Sequence, residues 1–268
     1  MYLHALSVVV MMVVSSTAAY QCNFPPSLWC SSRRIARVCE VEKQCKSYLS
    51  TKKTSDAPKV NFTLYYESLC GGCRDFIKTQ YYTAFKAIGS ILNVNLVPYG
   101  NAMEIQHGNE WDYTCQHGEE ECIGNLIETC AIHLHPNASV FFPFIHCIET
   151  SSSYPRQAAP SCAEKFRLDY TTIKQCANGA LGNSLEHEMA LKTGALNPPH
   201  QFVPWVTLNG VHTDDIQDQA ESNLVALICA SYKGSPKPEA CEEKINFRRC
   251  LKKNNQNQNQ ESKIIIND

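Results

Sequence analysis

The stretch Val60-Asn61-Phe62-Thr63-Leu64-Tyr65-Tyr66-Glu67-Ser68-Leu69-Cys70-Gly71-Gly72-Cys73 decides how this chain is read. Val60, Phe62, Leu64 and Tyr66 alternate with Asn61, Thr63, Tyr65 and Glu67, a period of two that predicts a strand running straight at Cys70. Past Cys73 the period lengthens. Ile77, Tyr81, Ala84, Phe85 and Ile88 recur at three and four, which predicts an amphipathic helix ending near Gly89. Leu92, Val94 and Leu96 alternate with Asn93 and Asn95 and predict a second strand, closed by Pro98-Tyr99-Gly100-Asn101.

A Cys-x-x-Cys pair between a strand and a helix has a chemistry of its own. Cys70 falls at the helix N-terminus, where unsatisfied N–H groups and the helix dipole favour a thiolate. The two thiols are close enough for a small, exposed and reducible disulfide. Gly71 and Gly72 leave the sulfur bare of side chains, so a bulky substrate disulfide can approach. Cys70 is the expected attacking thiolate and Cys73 the resolving thiol. The plainer alternatives are a structural disulfide or half of a zinc site, and a zinc ribbon would need a second Cys-x-x-Cys, which is absent. No metal and no cofactor are expected.

Working outward, Phe202-Val203-Pro204-Trp205-Val206-Thr207-Leu208 is a β-rich run that enters Asn209-Gly210, a strong hairpin signal. Asp214 and Asp215 supply helix-start chemistry ahead of Ile216, Ala220, Leu224, Leu227 and Ile228. Strand, helix and strand followed by hairpin and helix predict an α/β, thioredoxin-like fold. The residues between, with periodic stretches at Ile123 to Leu134 and Phe166 to Leu191, predict a mostly helical, disulfide-stapled insertion. In such a fold Pro204 opens the third strand opposite the Cys-x-x-Cys. A cis Val203-Pro204 bond would present the Val203 backbone to an extended substrate.

The 268 residues carry a formal net charge of -2 and only 19% charged side chains, a balance that speaks against a nucleic-acid binder or a polybasic membrane protein. Cysteine is the anomaly, at 15. The apolar run Ala5 to Val14, followed by Ser15-Ser16-Thr17-Ala18-Ala19, reads as a signal peptide spanning 1–19, so the thiols meet an oxidising route. No other run approaches the ~18 apolar residues of a membrane span. Asn61-Phe62-Thr63 and Asn137-Ala138-Ser139 are sequons, making Asn61 and Asn137 expected glycosylation sites. Residues 20–56, with Cys22, Cys30, Cys39 and Cys45, form a small disulfide-tied module ending in a polar linker at 52–58. The main domain is placed at 57–232, and 233–268, finishing in the Asn/Gln tract 254–260, is expected to be a disordered tail. With an odd number of thiols, Cys250 on that tail is the candidate for a free thiol or a disulfide-linked dimer.

The segment Cys115-Gln116-His117-Gly118-Glu119-Glu120-Glu121-Cys122, with Asn125 and Cys130, resembles the signature of the gamma-interferon-inducible lysosomal thiol reductases. The resemblance extends to Leu64 through Cys73, Leu96 through Asn101, Pro198-Pro199-His200 and Val203 through Gly210, and covers about residues 57–241. It implies a soluble glycoprotein enzyme that reduces protein disulfides in acidic endosomes and lysosomes, supporting degradation of disulfide-bonded antigens. A small-thiol reductant is its expected partner. It also implies that residues 20–56 are a saposin A-type module and that both ends are trimmed. Cys70 and Cys73 fall on the family's redox pair. Cys115, Cys122 and Cys130 are expected to staple the insertion rather than bind metal with His117, and Glu119 to Glu121 to form a solvated face. Most of His107, His117, His133, His135, His187, His200 and His212 are expected in surface or capping roles, and none is assigned a catalytic one. A disulfide oxidase or isomerase would use the same two cysteines, and a redox-silent binding protein could keep the scaffold. At pH 5 an ordinary thiol of pKa ~8.5 is about 0.03% ionised, so a reductase working there is expected to hold Cys70 well below 7. Hydrogen bonds from Gly72 N–H, Cys73 N–H and the Cys73 thiol are the expected means, with Glu67 opposing them when ionised.

Overall fold

The computed structural model describes residues 57–242 without a break and, before them, Cys30, Ala36, Arg37 and 40–51. The expected signal peptide, Cys22, Cys39, most of the linker and Cys250 with its polar tract lie outside the described residues. Two compact units are present, 1–54 and 55–268. In the first, α1 (Glu42–Thr51) carries Cys45, which is buried with Ala36 and disulfide-bonded to Cys30.

In the second unit the alternating stretch forms β1 (Val60–Tyr66) at the centre of a three-stranded sheet. β1 pairs in parallel with β2 (Leu92–Pro98), Phe62 opposite Val94 and Leu64 opposite Leu96. On its other side it pairs antiparallel with β5 (Trp205–Leu208), Leu64 opposite Val206. The predicted helix between β1 and β2 is present as α2 (Gly71–Phe76), a π-helical turn at Ile77–Tyr81 and α3 (Tyr82–Ile88), capped by Gly89. Tyr81 shows what the π turn accomplishes. Its ring meets Phe62 and Phe142 edge-on, with centroids 5.0 Å apart in each case, and its hydroxyl donates to Phe62 O at 2.6 Å while accepting from Asn95 N at 3.0 Å. One buried phenol therefore ties the helix to both parallel strands.

The insertion opens with a hairpin that the sequence reading did not anticipate, β3 (Met103–His107) and β4 (Glu110–Thr114). Five helices follow: α4 (Glu119–Leu134), α5 (Ala138–Glu149), α6 (Pro155–Phe166), α7 (Tyr170–Ala177) and α8 (Ala180–Gly194). The expected helical stretch from Phe166 to Leu191 is broken twice. Arg167 turns left-handed at φ 59° and Asp169 caps α7 through Thr171 N, and the chain breaks again at Asn178-Gly179. Cys130–Cys176 joins α4 to α7, Cys147–Cys162 joins α5 to α6, and Cys115–Cys122 closes the turn into α4. With their sulfurs paired, Cys115, Cys122 and Cys130 offer His117 no thiolate for a zinc site.

The expected hairpin after β5 amounts to a single bridge, Leu208 to Val211, across Asn209 and Gly210, both at positive φ. Thr213, rather than Asp214, caps α9 (Asp214–Ser231) by accepting Ile216 N. Residues 233–242, assigned from sequence to a disordered tail, are fastened to α9 by Cys229–Cys241, a 3-10 turn at Glu239–Cys241 and Lys237 Nζ on Cys229 O at 2.5 Å. Among the described residues no helix is long and apolar enough to cross a membrane.

Acids stand inside the core beside this architecture. Tyr66 donates to Glu128, Thr129 donates to Glu186 at 2.7 Å, and Glu149 is also buried. Burial pushes Glu128 up to about 7 and Glu186 up to about 8, and holds Glu149 well above the usual carboxylate range. A raised acid favours folding in its protonated form. That contribution is whole below the ordinary carboxyl value of 4.5 and is lost as pH rises through the folded values of about 7 and 8. Thermal melts should therefore show a fold several degrees more stable at pH 5 than at pH 8. Glu186→Gln, a mimic of the neutral acid, should recover about 5 °C at pH 8 and change little at pH 5; a parallel offset at both pH values would refute this.

Candidate active site

Cys70 ends the loop after β1 and is the N-cap of α2, its Sγ accepting the backbone N–H of Cys73 at 3.3 Å. Both cysteines are free thiols. Gly71 and Gly72 are exposed as expected, and a side chain at Gly71 would meet open space. The sulfur is nonetheless less open than the two glycines suggested. Cys70 is 8% exposed and Cys73 fully buried, because the chain at Val203 and Pro204 lies across them. The Val203-Pro204 bond is cis, the Cys70 thiol donates to Val203 O at 3.8 Å, and Pro204 Cδ lies 3.4 Å from where a Cβ on Gly72 would stand. Thus Cys70, Cys73, Val203 and Pro204 converge, as the sequence led one to expect.

The two thiols are made unequal by their surroundings. A hydrogen bond from the Cys73 thiol is the main cause that lowers Cys70 to about 7; the Cys73 N–H and His117 assist, while burial and Glu67 oppose. Cys73 is pushed far up by burial and by that same bond to Cys70. Cys70 therefore stands higher than the expected value well below 7, and the cause is its own desolvation together with a neighbouring acid.

That acid is Glu67, wholly buried three residues before Cys70. Its Oε1 accepts Asn101 N at 2.7 Å, which requires the chain to pass close by. Gly100 permits this. It sits at φ 61°, and any Cβ there would lie 2.4 Å from Glu67 Cγ. Glu67 Oε2 has no hydrogen bond and lies 3.4 Å from His117 Nδ1. His117 is held in turn by Glu121, whose two oxygens take its backbone N–H at 2.9 Å and face its Nδ1 at 2.5 Å.

Glu119 to Glu121 is not one solvated face: Glu119 is exposed, Glu120 pairs with Arg156, and Glu121 is fully buried because α4 turns it toward His117. His117 keeps an exposed edge but is drawn into the same cluster, its Nδ1 facing Glu121 at 2.5 Å and Glu67 at 3.4 Å. The i, i+4 spacing of His117 and Glu121 just inside the Cys115–Cys122 staple was the available signal. Among the described residues, Glu67, His117 and Glu121 are the group of ligand-type side chains that converge, within 4.8 Å. At 2.5 Å, however, His117 and Glu121 are spaced as atoms sharing a proton, whereas tetrahedral zinc ligands stand about 3.3 Å apart.

α4 also holds the loop that carries Cys70. Asn125 Oδ1 accepts Ser68 N at 3.0 Å, and Ser68 Oγ donates to Glu121 O at 3.0 Å. This close approach is possible because residue 124 is glycine; a Cβ there would fall 2.2 Å from Ser68 Oγ and 2.8 Å from Pro155 Cγ.

A parallel strand pair leading into a helix capped by a Cys-x-x-Cys, faced by a cis-proline strand, defines a thiol–disulfide oxidoreductase of thioredoxin-like fold. A family model described as "Gamma interferon inducible lysosomal thiol reductase (GILT)" matches residues 61–166. The chain is 45% identical over 230 residues to the gamma-interferon-inducible lysosomal thiol reductase of Carassius auratus, covering 85% of this chain and 87% of that one. To the protein of the same description from Mus musculus it is 36% identical over 203 residues, covering 74% and 79%. Among solved structures it is similar to DsbA of Chlamydia trachomatis, with a TM-score of 0.44 and 15% identity, over 63% of this chain and 88% of that one. The chain belongs to the gamma-interferon-inducible lysosomal thiol reductase family, and it is a disulfide oxidoreductase.

The packing of α4 on the loop makes a direct prediction. Gly124→Ala should cost about 1–3 kcal/mol in denaturant unfolding, and it should lower disulfide reductase activity by displacing Ser68. Unchanged stability and activity would show that α4 does not constrain the loop.

Proposed function

We propose that Cys70 attacks the substrate disulfide and Cys73 resolves the mixed disulfide, in a reductase working in acidic endosomes and lysosomes. The observation that carries the assignment is the asymmetry of the pair: Cys70 receives the N–H of Cys73 and is lowered, while Cys73 is fully buried and raised. The Cys70 thiolate attacks one substrate sulfur, the substrate S–S bond breaks, and the departing sulfur takes up a proton. Cys73 then gives up its proton and attacks Cys70 Sγ, releasing the second substrate thiol and leaving a Cys70–Cys73 disulfide. A small thiol reductant restores the dithiol. The backbone at Val203, beside Cys70, would pair with an extended substrate segment.

The acidic setting is supported by the descriptions of the relatives and by the buried acids, which favour the fold at low pH. Reduction there would open disulfide-bonded antigens for degradation. Asn61 and Asn137 would carry glycans. Both are exposed, and each uses its Oδ1 structurally, Asn61 accepting from Asn93 at 2.7 Å and Asn137 capping α5 through Ser139 N at 2.9 Å, so the amide nitrogen is left for the sugar. The segment 20–56 would be removed as a saposin A-type propeptide. On the other side, trimming would fall beyond Cys241, since that cysteine is stapled to α9.

Cys70→Ser should abolish turnover of a disulfide-bonded test protein, whereas Cys73→Ser should accumulate mixed disulfides visible on non-reducing gels. Trapping by Cys70→Ser with none by Cys73→Ser would reverse the roles. A non-reducing gel of the full precursor should also show a dimer that Cys250→Ser removes; a dimer persisting in that variant defeats the interchain assignment.

A further inference from the structure

We propose that His117 is a positioning residue for this reaction: gripped between two buried carboxylates, it sets a positive charge against Glu67 and so keeps that carboxylate from opposing the Cys70 thiolate. The proposal rests on Cys70 being the attacking thiol. Its basis is a count of charges around one fixed imidazole. Three groups face the ring, each from a different element: Glu67 from the loop after β1, Glu121 from α4, and Cys70 from the cap of α2. All three are anionic when ionised. Arg74 of α2 is engaged by the carbonyls of Glu149, Ile148 and Ser151 and acts on the buried Glu128 and Glu149 instead. His117 is therefore the single positive group within this set.

The ring is not free to swing away. Glu121 holds it by two points, the backbone N–H and Nδ1, and these direct Nδ1 at the unpartnered Glu67 Oε2, 3.4 Å off. The opposite edge reaches solvent, with 41% of the side chain exposed, so the imidazole can exchange protons with the medium. Burial disfavours the charged ring, but Glu121, Glu67 and Cys70 together raise the His117 pKa, which keeps the ring charged in acid, and burial raises that of Glu67. Acidity acts on both in one direction. It maintains the cation and suppresses the competing anion, and the thiolate gains from each change.

The test follows the ionisation of Cys70 in the reduced full-length enzyme, by thiolate absorbance and by the pH dependence of iodoacetamide labelling at Cys70 read by mass spectrometry. His117→Gln should raise the Cys70 midpoint by about one unit, slowing labelling at pH 5 about tenfold. Glu67→Gln should shift the midpoint the other way, and in the Glu67→Gln background the effect of His117→Gln should shrink to below about threefold. A merely structural role would change the melting temperature without this coupling. A Cys70 midpoint unmoved by His117→Gln, or a shift undiminished when Glu67 is already glutamine, overturns the proposal. Should His117→Gln not fold, Glu67→Gln alone decides, because a midpoint that fails to fall removes the premise. If Cys70→Ser retains turnover, the assignment of the attacking thiol has failed instead, a result separate from the titration of Cys70.

Discussion

The loop between β1 and α2 has to leave the sheet, cap a helix and place a sulfur while its polar groups are shut away from water. Three strands cannot supply the partners for that. Ser68 is fully buried, and both its N–H and its hydroxyl are satisfied by α4, through Asn125 and the carbonyl of Glu121. An unpaired buried donor would cost about 1–3 kcal/mol, so this helix is a condition for the loop and hence for the position of Cys70. The rest of the insertion follows from that need. α4 is pinned to α7 by Cys130–Cys176 and started at Cys115–Cys122, and Gly124 lets it approach closely enough to reach Ser68.

The same contact brings a chemical complication. Docking α4 against the loop buries Glu121, and turning the chain at Gly100 buries Glu67, so two carboxylates gather around His117, one of them opposing a sulfur that must ionise. Cys73 counters them with two donors, its N–H and its thiol, and remains protonated because its own burial disfavours the anion. At a Cys70 pKa of about 7, roughly 1% of the thiol is ionised at pH 5, about thirtyfold more than for an ordinary thiol. The buried Glu128, Glu149 and Glu186 also prefer protons, so the medium that suits the site suits the core.

Much of this was legible in the residues themselves. The change of period around Cys70 announces strand, cap and helix, because alternation and helical spacing are local properties of the chain. Pro204 opposite the thiols followed once that order was recognised. What escaped was non-local. The β3–β4 hairpin is mostly exposed and lacks the strong apolar alternation that marks a strand, as Met103, Ile105 and their neighbours show. Glu121 sits in a run of three acids, and only the packing of α4 distinguishes it from Glu119. Glu67 gives no outward sign of burial, since it continues the polar phase of β1 and is enclosed only when Asn101 closes over it. Residues 233–242 read as a tail because they are rich in Pro and Lys, and the Cys229–Cys241 bond overrides that composition.

The staples raise a problem peculiar to a catalyst of this kind, which must live among bonds of the type it breaks. Exchange needs a nucleophilic sulfur to reach the far end of an S–S bond in line, so access decides which bonds survive. Cys130–Cys176 is enclosed at both of its cysteines, whereas Cys147–Cys162 pairs a buried cysteine with a half-buried one. Cys115–Cys122 is half-buried at both of its cysteines and frames the segment that carries His117. The insertion thus sorts its own covalent cross-links by depth. The bond that pins α4 to α7 is withheld from passing thiols, including copies of the enzyme itself, while the one framing His117 lies more open to a reducing environment.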